Sequence, residues 1–173
     1  PLPPRMSIAC WRSNGGRVRH LLFASGPGAQ AHLWDLEERE HVQSLRGSHA
    51  SDLVTAGHII VDGGVAATAD SGGCVVTWEE APPASAAAPP SPKPWDAGVQ
   101  QGVVGSTADD SAYGGLRRVA VVADTHIGPV RAVALVRLAS GGVWGVSGSD
   151  DASVAVWDAL SGTWLRTLRG HAA

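Results

Sequence analysis

The stretch SGSDDASVAVWD, residues 147–158, joins a polar turn to a short strand that closes on Trp157 and Asp158. Because side chains alternate between the two faces of a strand, Ser153 and Trp157 share one face, and two valines occupy the other. Both faces are therefore largely apolar, which predicts a strand that is covered on both sides. The buried indole N–H of Trp157 then needs an acceptor, and Ser153 on the same face can supply an oxygen.

A Trp followed by an acidic residue recurs twice earlier in a strand context. Trp34 is followed by Asp35, and Trp78 by Glu79. Successive tryptophans of the three pairs are 44 and 79 residues apart, and the excess of 35 equals the length of the segment 81–115. This segment is rich in Pro, then in Gly, Ser and Asp, and has no sustained alternation, which is typical of an inserted loop. Without it both spacings are 44 residues, and a period of about 40–45 residues indicates a repeat architecture.

Each period divides into four short apolar segments separated by turn-forming residues. In the last period these segments are VRAVALVRL, GVWGVSG, SVAVWD and TWLRTL. Four short antiparallel strands per period form one blade of a β-propeller. The prediction is an all-β chain of about three four-stranded antiparallel blades, a partial propeller. It spans 1–173, with repeats at 6–47, 48–123 and 124–169, the insertion at 81–115, and the start of a further repeat at 170–173.

These features resemble the WD40-repeat family. In that family a His from a Gly-His pair, an Asp in the turn before the third strand, a Ser or Thr at the start of that strand, and the Trp form a hydrogen-bonded chain. The resemblance assigns this network to His126, Asp151, Ser153 and Trp157. The residues that carry the repeat signature are Trp34, Asp35, Trp78, Asp158, Gly170 and His171.

The complete network is expected in the last period alone. In the middle period Gly72 and Cys74 occupy the Asp and Ser positions, and Asp70 stands two residues too early. In the first period the same positions hold Gly28 and Gln30. We expect these two periods to be held together mainly by strand pairing and apolar packing.

The sequence predicts no catalytic, cofactor or metal site. Ser153, His126 and Asp151 are the residue types of a hydrolase triad, but Ser153 is expected to point inward and no Gly-x-Ser-x-Gly elbow is present. The seven histidines include no H-x-x-x-H pair and no Cys at ligand spacing. The glycines form no P-loop. We therefore expect a protein that is not an enzyme.

Composition favours other proteins over nucleic acid or membrane as partners. The net charge is −3, whereas a phosphate-binding face brings a basic excess. No apolar run approaches the roughly 18 residues that suggest a membrane span. Cys10 and Cys74 are far apart, and the sequence shows no signal peptide, so a cytoplasmic or nuclear location is expected, not secretion.

The resemblance implies a non-catalytic scaffold or adaptor, because WD40 domains typically bind proteins or peptides. The alternative is the substrate-recruiting propeller of a larger enzyme, such as a ubiquitin ligase subunit, a kinase or an NTPase, with its chemistry outside this segment. Three blades cannot close a ring of about 4–8 blades. We therefore expect a fragment whose open edges are covered by further blades or by a partner chain. The insertion 81–115 is a linker, a polyproline docking segment or a phosphorylation site at Ser91.

Overall fold

A computed structural model of the chain describes residues 8–12, 18–22, 30–35, 38–45, 54–60, 64–81, 115–122 and 125–170. In these residues the predicted all-β class is confirmed, and no helix is long and apolar enough to cross a membrane. The strands are β1 Ile8–Arg12, β2 Val18–Leu22, β3 Ala31–Asp35, β4 Glu40–Leu45, β5 Val54–Ile59, β6 Val65–Asp70, β7 Val75–Glu80, β8 Leu116–Val122, β9 Val130–Arg137, β10 Val143–Ser149, β11 Ser153–Asp158 and β12 Trp164–Arg169.

The described strands form three antiparallel sheets of four, each in chain order: β1–β4, β5–β8 and β9–β12. The Trp-acidic pair lies near the end of the third strand of every sheet. Between β7 and β8 the chain passes through the predicted insertion, whose interior, 82–114, lies outside the described residues. Its two ends meet, because the N–H of Ala81 donates to the carbonyl oxygen of Gly115 at 2.8 Å.

Strand β5 starts earlier in the sequence than the apolar segment HIIVD, 58–62, suggests. It runs from Val54 to Ile59, and the chain then turns back into β6. The N–H of Ile60 donates to the carbonyl oxygen of Val65 at 2.9 Å, and Gly64 has a φ of +57°. A connection that closes this tightly ends the strand at Ile59, so Ile60 lies beyond the strand although it is apolar.

The second sheet lies between the other two, and its inner strands β6 and β7 are buried on both faces over most of their length. All six residues of β6 are buried, and three of them are alanines, which lets the neighbouring sheets approach closely. One apolar core joins the first and second sheets and contains Leu33 and Trp78. Another joins the second and third sheets and contains Val75 and Trp157.

Polar side chains also connect neighbouring sheets. The amide of Gln43 in β4 donates to the carbonyl oxygen of Leu116 at 2.9 Å and accepts the N–H of the same residue at 2.8 Å. The Gln43 amide thus makes the same pair of hydrogen bonds to β8 that the backbone of a neighbouring strand would make. The hydroxyl of Thr55 in β5 donates to the carbonyl oxygen of Val130 in β9 at 2.5 Å.

A contact between His58 and Leu135 predicts pH-dependent stability. The His58 Nδ1 accepts the N–H of Leu135 at 3.3 Å, which the protonated ring cannot do. Partial burial lowers the pKa of His58 from its ordinary 6.5. Folding therefore favours the neutral ring, and its contribution to stability is complete above the unfolded-state pKa and is lost as the pH falls below it.

We expect the melting temperature of His58→Gln to fall less than that of the unaltered chain between about pH 7.5 and about pH 5. The glutamine amide oxygen can still accept the Leu135 N–H, and it does not titrate. Differential scanning calorimetry measures both proteins, and the comparison cancels the other titrating groups. Parallel pH slopes would contradict this role of His58.

Candidate functional site

His126, in the loop between β8 and β9, lies at the centre of a polar cluster on the third sheet. Its Nδ1 is 3.0 Å from the Ser153 Oγ and 3.3 Å from the Asp151 Oδ2. Its Nε2 is 2.9 Å from the Ser147 Oγ. Asp151 is half-buried and the other three residues are buried. We name these four residues the His126 cluster.

The Asp151 carboxylate organises the turn between β10 and β11. Its Oδ1 accepts the Ser153 N–H at 2.9 Å and the Ser153 hydroxyl at 2.5 Å. Its Oδ2 accepts the N–H of Ile127 at 2.9 Å. Ala152 has a φ of 61°, a left-handed conformation that brings the chain back into β11. Asp151 thus ties this turn to the loop that carries His126.

Opposing effects act on the pKa of Asp151. Burial raises it, but the Ser153 hydroxyl, the N–H groups of Ile127 and Ser153, and the nearby His126 together lower the pKa well below its ordinary value. Hydrogen bonds to the charged form of a carboxylate favour that form. The carboxylate is therefore ionised at neutral pH and serves as a fixed acceptor.

The structure brings His126, Asp151 and Ser153 together, but it does not bond Trp157 to them. The Trp157 Nε1 is buried and has no hydrogen-bond partner in the part of the chain that the structure describes. Ser153 and Trp157 are four residues apart in an extended strand, which separates them by about 13 Å. The indole lies across the neighbouring strand over Gly145, so it does not reach along β11 to Ser153.

The second sheet shows where an acceptor for the indole can lie. The Trp78 Nε1 donates to the Thr68 Oγ1 at 2.9 Å. Thr68 is on the neighbouring strand β6, two residues beyond the register partner of Trp78. The equivalent residue of the third sheet, two beyond the partner of Trp157, is Ser147. There the hydroxyl meets His126 instead.

Thr68 and Ser147 are the site residues that sequence reasoning missed. It looked for the acceptor along the strand of the Trp, whereas the acceptor position is on the strand beside it. Counting two residues onward from the cross-strand partner of each Trp would have found both positions. That partner becomes predictable once the turn between the second and third strands is placed.

The aspartates after Trp157 and Trp34 have a separate role in the next turn, whereas Glu79 after Trp78 pairs with Arg117 of β8. The Asp158 Oδ1 accepts the N–H of Ser161 at 2.8 Å, the N–H of Leu160 at 3.0 Å and the Ser161 hydroxyl at 2.9 Å. The bond from the Ser161 N–H is the main cause that lowers the pKa of Asp158. In the first sheet, the Asp35 Oδ1 accepts the N–H of Glu38 at 3.1 Å. In the third sheet the Trp157–Asp158 pair therefore supplies a core aromatic and the acceptor that shapes the following turn.

The other residues singled out in the sequence lie apart from the His126 cluster. Trp34 is half-buried in β3 of the first sheet. Asp70 shapes the β6–β7 turn of the second sheet, where its Oδ1 accepts the N–H of Gly72 at 2.9 Å. Gly170 follows β12, and His171 lies outside the described residues.

Ser147, His126 and Asp151 have the hydrogen-bond connectivity of a hydrolase triad, but a substrate cannot reach the Ser147 hydroxyl. The His126 side chain and Ser147 are both fully enclosed, whereas a nucleophilic hydroxyl must meet substrate beside an oxyanion hole. The arrangement instead satisfies buried polar groups and holds a loop against a turn. Within the described ranges, no group of three or more His, Cys, Asp or Glu side chains is arranged to hold a metal ion.

Comparison with known proteins adds no family to this description. No protein-family model and no curated protein matches the sequence. The WD40 resemblance therefore stays a prediction, and the functional interpretation rests on the geometry of the sheets and of the His126 cluster.

Proposed function

We propose that the three sheets are blades of a WD40-type β-propeller and that the chain is a non-catalytic scaffold for protein–protein interaction. Consecutive blades would form successive four-stranded meanders packed face to face, as these sheets are. A second sheet whose inner strands are buried on both faces fits a blade with a neighbour on each side. The enclosed His126 cluster favours a structural role over a chemical one.

The observation that carries the interaction role is the exposed face of the third sheet. One face of this sheet packs against β5 and β6 through β9. On the opposite face Val136, Trp144 and Leu168 are 51%, 39% and 50% exposed. The strand register places the half-buried Val146 and the buried Val156 beside them on the same face of the sheet. We name these five residues the outer face.

An apolar sheet face of this kind is typical of a surface that another protein or a further blade covers. Its exposed aromatic residue Trp144 and its aliphatic residues are of the types found in the core of a protein interface, from which charged residues are depleted. At the border of the outer face, Asp158 and Arg166 carry opposite charges, so the face has no basic stripe for phosphates. A protein partner with an apolar surface therefore fits this face better than a nucleic acid.

The first test selects binding partners with the purified chain from a display library of natural protein fragments and re-measures each affinity with Trp144→Ser. We expect Trp144→Ser to raise Kd about tenfold or more, because buried aromatic residues dominate interface energies. Ile127→Ser is the matched control, since Ile127 is 94% exposed but lies in the β8–β9 loop, outside the outer face. Selected fragments that bind equally well to Trp144→Ser would contradict the proposal.

A second measurement tests the non-catalytic part of the proposal. Each selected fragment is incubated with the chain and then analysed by mass spectrometry. We expect unchanged masses, because the nucleophile-like hydroxyls of the His126 cluster are enclosed. A fragment that is recovered cleaved or covalently modified, with the change abolished by Ser147→Ala, would refute a purely structural cluster.

A further inference from the structure

Two histidines of the first sheet bring their imidazole nitrogens together at the protein surface. The His32 Nδ1 in β3 and the His41 Nε2 in β4 are 3.2 Å apart. The Ser44 Oγ is 3.1 Å from each of these nitrogens, so the three atoms form a nearly equilateral triangle. His41 is exposed and His32 is half-buried, which gives an ion access to them from solvent.

Strand pairing and one irregularity create this arrangement. His32 pairs with Ser44, and Trp34 pairs with His41. The register shifts between Leu33 and Trp34, which places an extra residue in β4 between the two pairs. The His41 ring also packs edge-on against the Trp34 indole, with 5.1 Å between ring centroids. The aromatic contact and the strand pairing hold His41 beside His32.

We propose that His32 and His41 together bind a divalent transition-metal ion, Zn²⁺ in particular. Two imidazole nitrogens 3.2 Å apart, each about 2.0–2.1 Å from one zinc ion, subtend an angle of about 100° at that ion, close to a tetrahedral angle. Neutral imidazole is a favoured ligand of zinc. Since zinc has no geometric preference from d electrons, it accepts an angle that the strands impose.

Binding would require both facing nitrogens to present lone pairs. A neutral ring that carries its proton on the facing nitrogen moves that proton to the opposite nitrogen of the same ring, so binding to two neutral rings releases no net proton. The remaining positions around the ion belong to water. The Ser44 hydroxyl lies where it can hydrogen-bond one such water and keep it in place.

The test titrates the full chain with zinc chloride by isothermal titration calorimetry and follows the imidazole nitrogens by ¹⁵N NMR. We expect one zinc ion per chain at this site, with the largest shifts at the His32 Nδ1 and the His41 Nε2. His41→Gln should weaken binding on the order of 100-fold, because one imidazole remains where two acted together. Shifts confined to other histidines, or no binding up to about 1 mM zinc, would overturn the assignment.

Two further variants separate a lost ligand from a disturbed fold. His58→Gln, which alters a histidine at the β5–β9 contact, is the matched control and should leave zinc binding unchanged. His32→Gln should weaken binding as much as His41→Gln, and the double variant should lose less than the sum of the two single losses, because one shared ion couples the two residues. Additive losses in the double variant would indicate two separate sites and would overturn the proposal.

Discussion

Gly145→Ala is expected to lower the free energy of unfolding by about 3 kcal/mol or more, at the upper end of overpacking effects in cores. A Cβ at this position would lie 2.1–2.3 Å from three ring carbons of Trp157. Trp157 is completely buried, so a closely packed interior offers its indole no free space. To accommodate one methyl group, β10 and β11 must move apart or the indole must leave the core.

Gly148→Ala is the matched control in the same strand. A Cβ on Gly148 would have no atom within 4 Å, so we expect a change below about 1 kcal/mol. Urea unfolding followed by tryptophan fluorescence compares the two variants. Adding Trp157→Phe to Gly145→Ala should recover part of the loss, because the smaller ring vacates the space. Equal unfolding midpoints for Gly145→Ala and Gly148→Ala would refute the steric argument.

Asp151→Ala is expected to lower the free energy of unfolding by about 2–4 kcal/mol, because hydrogen bonds to a charged group are worth more than neutral ones. The substitution removes the acceptor of the Ile127 N–H and of both Ser153 donors at once. The neighbouring Asp150→Ala removes an exposed ion pair with Arg131 and should cost much less, because solvent screens a surface pair. Thermal denaturation of the two alanine variants compares their losses of stability. Similar losses would show that the His126 cluster does not depend on Asp151.

The ionisation of Asp151 adds a pH signature to this prediction. Folding lowers the pKa of this carboxyl from its ordinary 3.8. Its contribution to stability is therefore present above that pH and is lost as the pH falls further. We expect the stability difference between the unaltered chain and Asp151→Asn to narrow below about pH 4. A constant difference would mean that the charge itself contributes nothing.

Local patterns were enough to predict most of the strands. Apolar alternation and turn residues act over a few positions, so segments such as 153–158 were recognisable without any knowledge of their neighbours. The same local reasoning placed β5 too late, because the residues after Ile59 are as apolar as those before it. The end of the strand at Ile59 follows from the pairing of β5 with β6, which is a contact between segments.

The residues of the candidate site were predictable only where a motif along the sequence identifies them, and not where strand pairing brings them together. His126, Asp151 and Ser153 were identified through the family resemblance, and they lie together. Ser147 was missed because its relation to His126 depends on the register between two strands. The contact of His32 with His41 was missed for the same reason: a search for ligand spacing along the sequence does not detect residues that a register shift brings together across strands.

The bond between Ala81 and Gly115 has a consequence for protein engineering. The two backbone groups are 2.8 Å apart, so the chain leaves the second sheet and returns to it at nearly one point. The entropic cost of closing a connection rises only slowly with its length. Shortening the insertion between Ala81 and Gly115, or replacing it with a reporter domain whose termini lie close together, should therefore leave the pairing of β7 with β8 intact. The point where Ala81 and Gly115 meet therefore offers a place to attach a label without disturbing either the outer face or the two histidines of the first sheet.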